Sequence, residues 1–393
     1  MNKLLMIMTY FLILILPYNY RISAMVGFIL LILTLIWKII NKQTILFTAT
    51  EIYIIFYILV SFYFVINGSD ELNIFFRIVL YPFMLFYLFR EIYINNQIID
   101  NILKLLSLMS FTSFIVIFFG LHNNFANFSL DYLLFRNRLN FEFWDGISII
   151  GPTQLSSLLG FSFITLFFFL YKEKQYKYFL GCILLFQFIF IIFLSSRQTW
   201  ISCAISIFFL FLYKNGKFNI SKLIPRLLLI IMLSYIIIFN SPIAYYLNFS
   251  ELSERALFFI DPTSDHNLNA RFYRWGIALD MFSKNYFGYG FSYFGKVTNL
   301  QTPHNEFLGQ LVSVGFFGSI LIFLIYLSTI KKIFHMTRNN KRWSIYFFIF
   351  FVYIMTLSIT EYYSFAMFNL INPIIWVIFG LSHNYFNLNK TIK

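Results

Sequence analysis

Residues 22–40 read Ile-Ser-Ala-Met-Val-Gly-Phe-Ile-Leu-Leu-Ile-Leu-Thr-Leu-Ile-Trp-Lys-Ile-Ile, an apolar run whose one charge, Lys38, stands near its end. A helix crosses the hydrocarbon of a bilayer in about 20 predominantly apolar residues, so this stretch predicts a membrane-spanning helix. The pattern recurs on both sides. Segments at roughly 4–18, 45–66, 72–89, 102–121, 147–171, 178–194, 199–213, 223–240, 307–330, 344–360 and 364–383 also qualify, and the expectation is twelve spans. Composition agrees. The 393-residue chain is 60% hydrophobic, 23% aromatic and only 11% charged, against roughly 25% charged in a soluble domain. Its 56 Phe and 27 Tyr exceed what one water-soluble core of this size buries, so the excess needs lipid as its solvent. The expected fold is all-α: a polytopic helix bundle that forms a single integral membrane domain over residues 1–393. Met-Asn-Lys followed by the run Leu4–Leu16 has the look of a signal peptide. No small-x-small cleavage site follows it, and a second apolar segment starts at Ile22, so it is read as a retained first span.

Charge sets the orientation. With the N-terminus inside, the inside segments hold Lys172, Lys174 and Lys177, then Lys214, Lys217, Lys222 and Arg226, then Lys331, Lys332, Arg338, Lys341 and Arg342. The acidic residues gather in the outside segments. Lys and Arg mark cytoplasmic loops, so both termini are expected in the cytoplasm. The net charge of +13 then reflects anchors beside anionic lipid headgroups, and no nucleic-acid partner is expected. Cys182 and Cys203 lie in apolar runs, where a thiol behaves as a small hydrophobe. No Cys/His cluster has metal-ligand spacing, and no cofactor is expected.

Two breaks between spans are long, at about 122–146 and 241–306. Most of the unusual chemistry sits in the second and in the short break Ser195-Ser196-Arg197-Gln198-Thr199-Trp200. Residues 270–283 of the long external loop read Ala-Arg-Phe-Tyr-Arg-Trp-Gly-Ile-Ala-Leu-Asp-Met-Phe-Ser. Phe272, Trp275, Leu279 and Phe282 recur at helical spacing and predict one apolar face. Arg271 and Arg274, three apart, share the other. Paired guanidiniums suit a diphosphate, since each makes bidentate bonds to phosphate oxygens; they equally suit a helix lying against lipid headgroups. Phe287-Gly288-Tyr289-Gly290 reads first as a turn. Pro303-His304-Asn305-Glu306 follows at the mouth of a span. His304 is a candidate general base or a junction residue, and Asn305 a candidate ligand or helix cap. Arg77, within the fourth span, either snorkels to the interface or holds an anion in a cavity. Arg136 and Arg138, with Glu142, Trp144 and Asp145, suit either sugar binding or an interfacial belt. Glu51 is expected at the membrane interface, and His122, His266, His335 and His383 in solvent or at the interface.

These features together resemble the O-antigen polymerase and O-antigen ligase superfamily of bacterial inner-membrane glycosyltransferases. The resemblance rests on Ser196-Arg197 opening a span, on Arg271-x-x-x-Trp275 followed by Phe287-Gly288-x-Gly290, and on His304-Asn305-x-x-Leu308 running into a span with Gly315 and Gly318. Gly151-Pro152-Thr153-Gln154 is a weaker match, with Gln154 where Asn is commoner. The resemblance implies a donor of undecaprenyl diphosphate carrying an oligosaccharide, presented at the outer leaflet, and a metal-independent, inverting transfer. It implies that Arg197 and Arg271 bind the diphosphate with Arg274 as a third cation, and that His304 activates or orients the acceptor hydroxyl. Arg77, Arg136, Arg138, Asn305 and Glu306 are further candidate substrate contacts. A lipid-linked acceptor would make the protein a polymerase of O-antigen or capsule, with a chain-length regulator as a candidate partner. A lipid A core acceptor would make it a ligase. A lipid-linked oligosaccharide flippase is a further alternative; charges facing a cavity within the membrane would be expected of it.

Overall fold

A computed structural model of the protein describes residues 2–16, 20–42, 48–92, 95–120, 141–142, 149–150, 152–172, 177–193, 196–214, 217–218, 266–298, 302–339, 343–360 and 371–391. The helices are α1 (Asn2–Ile15), α2 (Tyr20–Ile40), α3 (Ala49–Ile66), α4 (Leu72–Glu91), α5 (Asn96–Gly120), α6 (Pro152–Lys172), α7 (Lys177–Phe193), α8 (Arg197–Leu212), α9 (His266–Lys284), α10 (Tyr293–Thr298), α11 (Glu306–Arg338), α12 (Ser344–Thr360) and α13 (Asn372–Thr391). Strand structure among the described residues is confined to two antiparallel pairs, β1 (Phe141–Glu142) with β2 (Ile149–Ile150) and β3 (Tyr213–Lys214) with β4 (Lys217–Phe218). Five described helical stretches are long and apolar enough to cross a membrane: Arg21–Ile40, Ala49–Ile66, Leu72–Glu91, Gln154–Tyr171 and Glu306–Arg338. Shorter apolar helices cover Leu5–Ile15, Tyr178–Ile191, Gln198–Leu212 and Ser344–Ile359. The expected span at 223–240 lies outside the described residues, and the one expected at 364–383 appears as a helix beginning at Asn372.

The helices are held by aromatic packing and by hydrogen bonds between small polar side chains, the means by which helices associate where lipid is as apolar as they are. α13 packs along α4. Gly380 lets the two backbones meet, since a Cβ there would come 2.4 Å from Phe86 O. Trp376 sets its ring edge-on to Phe83, with centroids 4.9 Å apart. α5 and α6 exchange Ser107–Ser162 bonds, Gln187 of α7 donates to Ser162 Oγ (2.8 Å), and Tyr353 of α12 donates to Ser157 O of α6 (2.7 Å). α4 widens into a π-helical turn over Phe76–Leu80, where Tyr81 N–H reaches back to Phe76 O. Pro82 explains it: proline has no N–H for the carbonyl four residues before it.

One end of the bundle is tied by buried charge. Glu51, expected at the interface, is wholly buried at the start of α3. Its Oε1 forms an ion pair with Arg90 Nη1 of α4 (2.7 Å), and its Oε2 accepts the Thr48 N–H and so caps its own helix. Arg90 also meets Glu91 (3.4 Å), which pairs with Lys38 of α2. Beside this network His383, expected in solvent, is wholly buried in α13. Lys332 of α11 reaches its Nδ1 (2.9 Å), and its Nε2 meets Thr329 Oγ1 (3.0 Å). An ammonium only donates, so Nδ1 accepts and Nε2 carries the proton. Glu51, Lys38, Arg90 and Glu91 stand at or near helix ends, whereas Lys332 and His383 lie within theirs. What distance in sequence conceals is that five helices bring them together.

α11 is not straight. Gly315 has φ 67° and ψ −167° in its interior. Tyr57 of α3 donates to Gln310 Oε1 before this break (2.8 Å), and Thr50, seven residues earlier on α3, bonds to Ser328 after it. Two straight antiparallel helices would show equal separations along both chains. The break takes up the difference and lays residues 306–314 across the end of the bundle, from Ile359 of α12 to Tyr57 of α3.

Removing one member of a buried ion pair strands the other in a low dielectric and costs about 3–5 kcal/mol. Glu51→Gln is therefore expected to lower the thermal unfolding midpoint in detergent markedly. Lys284→Gln, which opens only the exposed pair with Asp280, is expected to leave it almost unchanged, because solvent screens such surface pairs.

Candidate active site

The site is built where α8, α9 and the start of α11 meet. α8 opens at Arg197. Ser196 just before it bonds its hydroxyl to Thr199 Oγ1 (3.1 Å) and accepts the Thr199 and Trp200 amides on its carbonyl. The Trp200 indole donates to Ile191 O of α7 (2.7 Å) and fixes the two helices against each other. The backbone of Arg197 is set by this turn; its side chain lies outside what the structure describes. Gln198, one residue on, is buried and accepts on Oε1 from Arg271 Nη2 of α9 (3.4 Å). One turn along α9, Arg274 Nη1 donates to Thr302 O (3.4 Å). Thr302 Oγ1 in turn accepts the His304 N–H (3.4 Å). Both arginines are half-buried.

His304 has φ 54°, a left-handed conformation that non-glycine residues adopt seldom and His more readily than most. It turns the chain between buried Pro303 and Asn305. Asn305 is the N-cap of α11: Oδ1 accepts the Leu308 N–H (3.0 Å), and Nδ2 donates to Ile359 O of α12 (2.8 Å). Both ends of its amide are thus committed to holding the helix start. Glu306 is wholly buried in the first turn, where the helix dipole favours a carboxylate. It accepts from Gln310 Nε2 (3.1 Å), whose own oxygen accepts from Tyr57. The Tyr57 proton fixes which way the Gln310 amide faces, so a chain of donors points at Glu306.

On the predicted apolar face of α9, Phe272 and Leu279 are about half exposed, while Trp275 and Phe282 are half-buried. The helix packs inward through Ala278 and Met281, which form a small second core with Phe294 of α10 and Val312 of α11. Tyr286 and Phe287, and Phe316 and Phe317 of α11, are also exposed aromatics.

Of the other expected residues, Arg77 stands half-buried in the π-helical turn of α4. Arg136 and Arg138, with Trp144 and Asp145, lie outside the described residues, as does residue 241–265 of the long loop. Gln198, Gln310 and Tyr57 were not singled out by sequence. Gln198 has a signal in hindsight, a polar residue between Arg197 and an apolar run. Gln310 and Tyr57 have none, being single polar groups in apolar spans.

Asn305→Ala removes a helix cap worth about 1 kcal/mol and a hydrogen bond of similar size. The thermal midpoint should fall, and Asn305→Asp, which keeps the acceptor and loses the donor to Ile359, should fall by roughly half as much.

Among curated proteins none matches the chain. Residues 180–324, which hold Arg197, Arg271, Arg274, His304 and Glu306, match the family described as O-antigen ligase. That match, over a little more than a third of the chain, supports the O-antigen polymerase and ligase superfamily as the one to which these motifs belong.

Proposed function

We propose that this protein polymerises undecaprenyl-diphosphate-linked oligosaccharide repeats into a surface polysaccharide at the outer face of the bacterial inner membrane. The observation that carries the reading is the convergence of Arg271, Arg274 and the His304 turn through Gln198 and Thr302, inside the matched segment. Twelve spans with both termini cytoplasmic would put this end of the bundle outside, where a lipid-linked donor is presented.

In this reading Arg197, Arg271 and Arg274 hold the donor diphosphate. The acceptor hydroxyl oxygen attacks the anomeric carbon from the side opposite the diphosphate, and His304 takes the hydroxyl proton. The bond from the anomeric carbon to the diphosphate oxygen breaks, and its electron pair leaves with the lipid diphosphate. The guanidiniums stabilise that charge where it develops, and the anomeric centre is inverted. Side-chain cations supply the electrostatic stabilisation, so transfer is expected to persist in excess EDTA. Arg77, Arg136 and Arg138 are candidate contacts to the sugars or the second diphosphate, and a chain-length regulator is a candidate partner.

The family's description favours a second reading, transfer of the finished chain to lipid A core. Purified protein in liposomes with only the lipid-linked repeat separates the two. A product ladder lost by about a hundredfold or more in His304→Ala, the scale of a general base, supports the polymerase. Transfer only when lipid A core is added makes the protein a ligase with the same site. Neither product, from folded protein and authentic donor, overturns both and favours the flippase.

A further inference from the structure

The Phe287-Gly288-Tyr289-Gly290 segment does more than turn the chain. It enters the break in α11. Tyr289 N–H donates to Val312 O (2.8 Å), Gly290 N–H to Ser313 O (2.8 Å), and Phe316 N–H to Tyr286 O (2.9 Å). The inserted segment thus takes up backbone groups that the helix gives up at Gly315. The fit leaves no room for side chains. A Cβ on Gly288 would fall 2.5 Å from Gly315 N, and one on Gly315 would fall 2.3 Å from Phe287 C. Both glycines also have left-handed φ, +92° and +67°.

Beyond Gly290 the chain is seized by one carboxylate. Asp70, in the turn between α3 and α4, is 7% exposed. It accepts the Phe291 N–H (2.7 Å), the Ser292 N–H (3.0 Å) and the Ser292 hydroxyl (2.8 Å). Gly290, φ +95°, is pressed so closely to it that a Cβ would lie 2.7 Å from Oδ2. Asp70 is itself fixed, because its amide and that of Ser69 both donate to Phe64 O at the end of α3. The half-helix 306–314 is therefore tied to α3 at two points: directly through Gln310 and Tyr57, and through Ser313, Gly290 and Asp70.

We infer that Asp70 is a positioning residue for the site: through the inserted loop it holds the half-helix that begins at Glu306, directly after the His304 turn, in register with Arg271 and Arg274. This rests on the proposed function for its catalytic consequence, though not for its structural one. A misplacement of about 1 Å at a reacting group costs about a hundredfold in rate. Asp70 touches neither of the arginines in the described contacts, so its loss is expected to act on turnover rather than on donor binding.

The test uses full-length protein in nanodiscs, wild type against Asp70→Asn and the milder Ser292→Ala, which removes one of the three donors. Hydrogen–deuterium exchange is followed by peptide, and transfer kinetics are measured with the lipid-linked repeat. Asp70→Asn is expected to speed exchange in both 286–292 and 302–314 while α12 and α13 stay protected. It should lower kcat about ten- to a hundredfold with KM for the donor within about twofold, and Ser292→Ala should show a smaller change of the same pattern. Faster exchange confined to 286–292 with kcat unchanged would overturn the inference, as would a rise in KM alone. If wild type is inactive on this donor, the functional reading fails, and protection of 302–314 still decides whether Asp70 braces the half-helix. Should Asp70→Asn not fold, Ser292→Ala answers both arms.

Discussion

A backbone carbonyl that loses its helical partner inside a membrane protein must find another within the protein, because lipid offers none. The loop end of this bundle is organised around that constraint. The break at Gly315 releases groups on both sides of the bend, and the segment Tyr286–Gly290 supplies the partners. Insertion forces glycine at 288 and 315. It fixes where α9 must end and where α10 must begin, and it delivers Phe291 and Ser292 to Asp70. The half-helix created by the break is then free to run across the bundle, so that Asn305 meets α12 while Gln310 meets α3.

Charge ties helices together at both ends of the bundle. At one, Glu51, Arg90, Glu91 and Lys38 neutralise one another by direct contact, which is the condition on which ions tolerate burial. At the other, Arg271 and Arg274 reach the Gln198 amide oxygen and the Thr302 carbonyl, and these bonds orient the two guanidiniums between α8 and the chain that leads into α11.

Most of the helices were legible from apolar runs, since length and hydropathy are local properties. α3, α4, α6 and α12 lie close to their expected bounds. The motif residues at 271, 274 and 304 were legible as chemistry, and their meeting was not, because it passes through Gln198 and Thr302. Three things could not be read. The bend at Gly315 is one glycine in an apolar run, and its conformation is dictated by a segment that packs into it. The pairing of Glu51 with Arg90 and of His383 with Lys332 is tertiary, and local reasoning assigns each such residue to the interface by default. The inward face of α9 is the third, because Ala278 and Met281 are fixed by Phe294 and Val312, which lie further along the chain.

The break in α11 also settles a question of length. As one straight helix its 33 residues would rise about 50 Å, well beyond a hydrocarbon core of roughly 30 Å. Such hydrophobic mismatch is relieved by tilting or by deforming the bilayer, each at a cost. Bent at Gly315, residues 316–338 alone rise about 34 Å and match the core by themselves. Glu306 and Gln310, poor residues for lipid, are withdrawn into the protein. One glycine therefore fits the helix to the thickness of the membrane and sets aside its first turns for polar work.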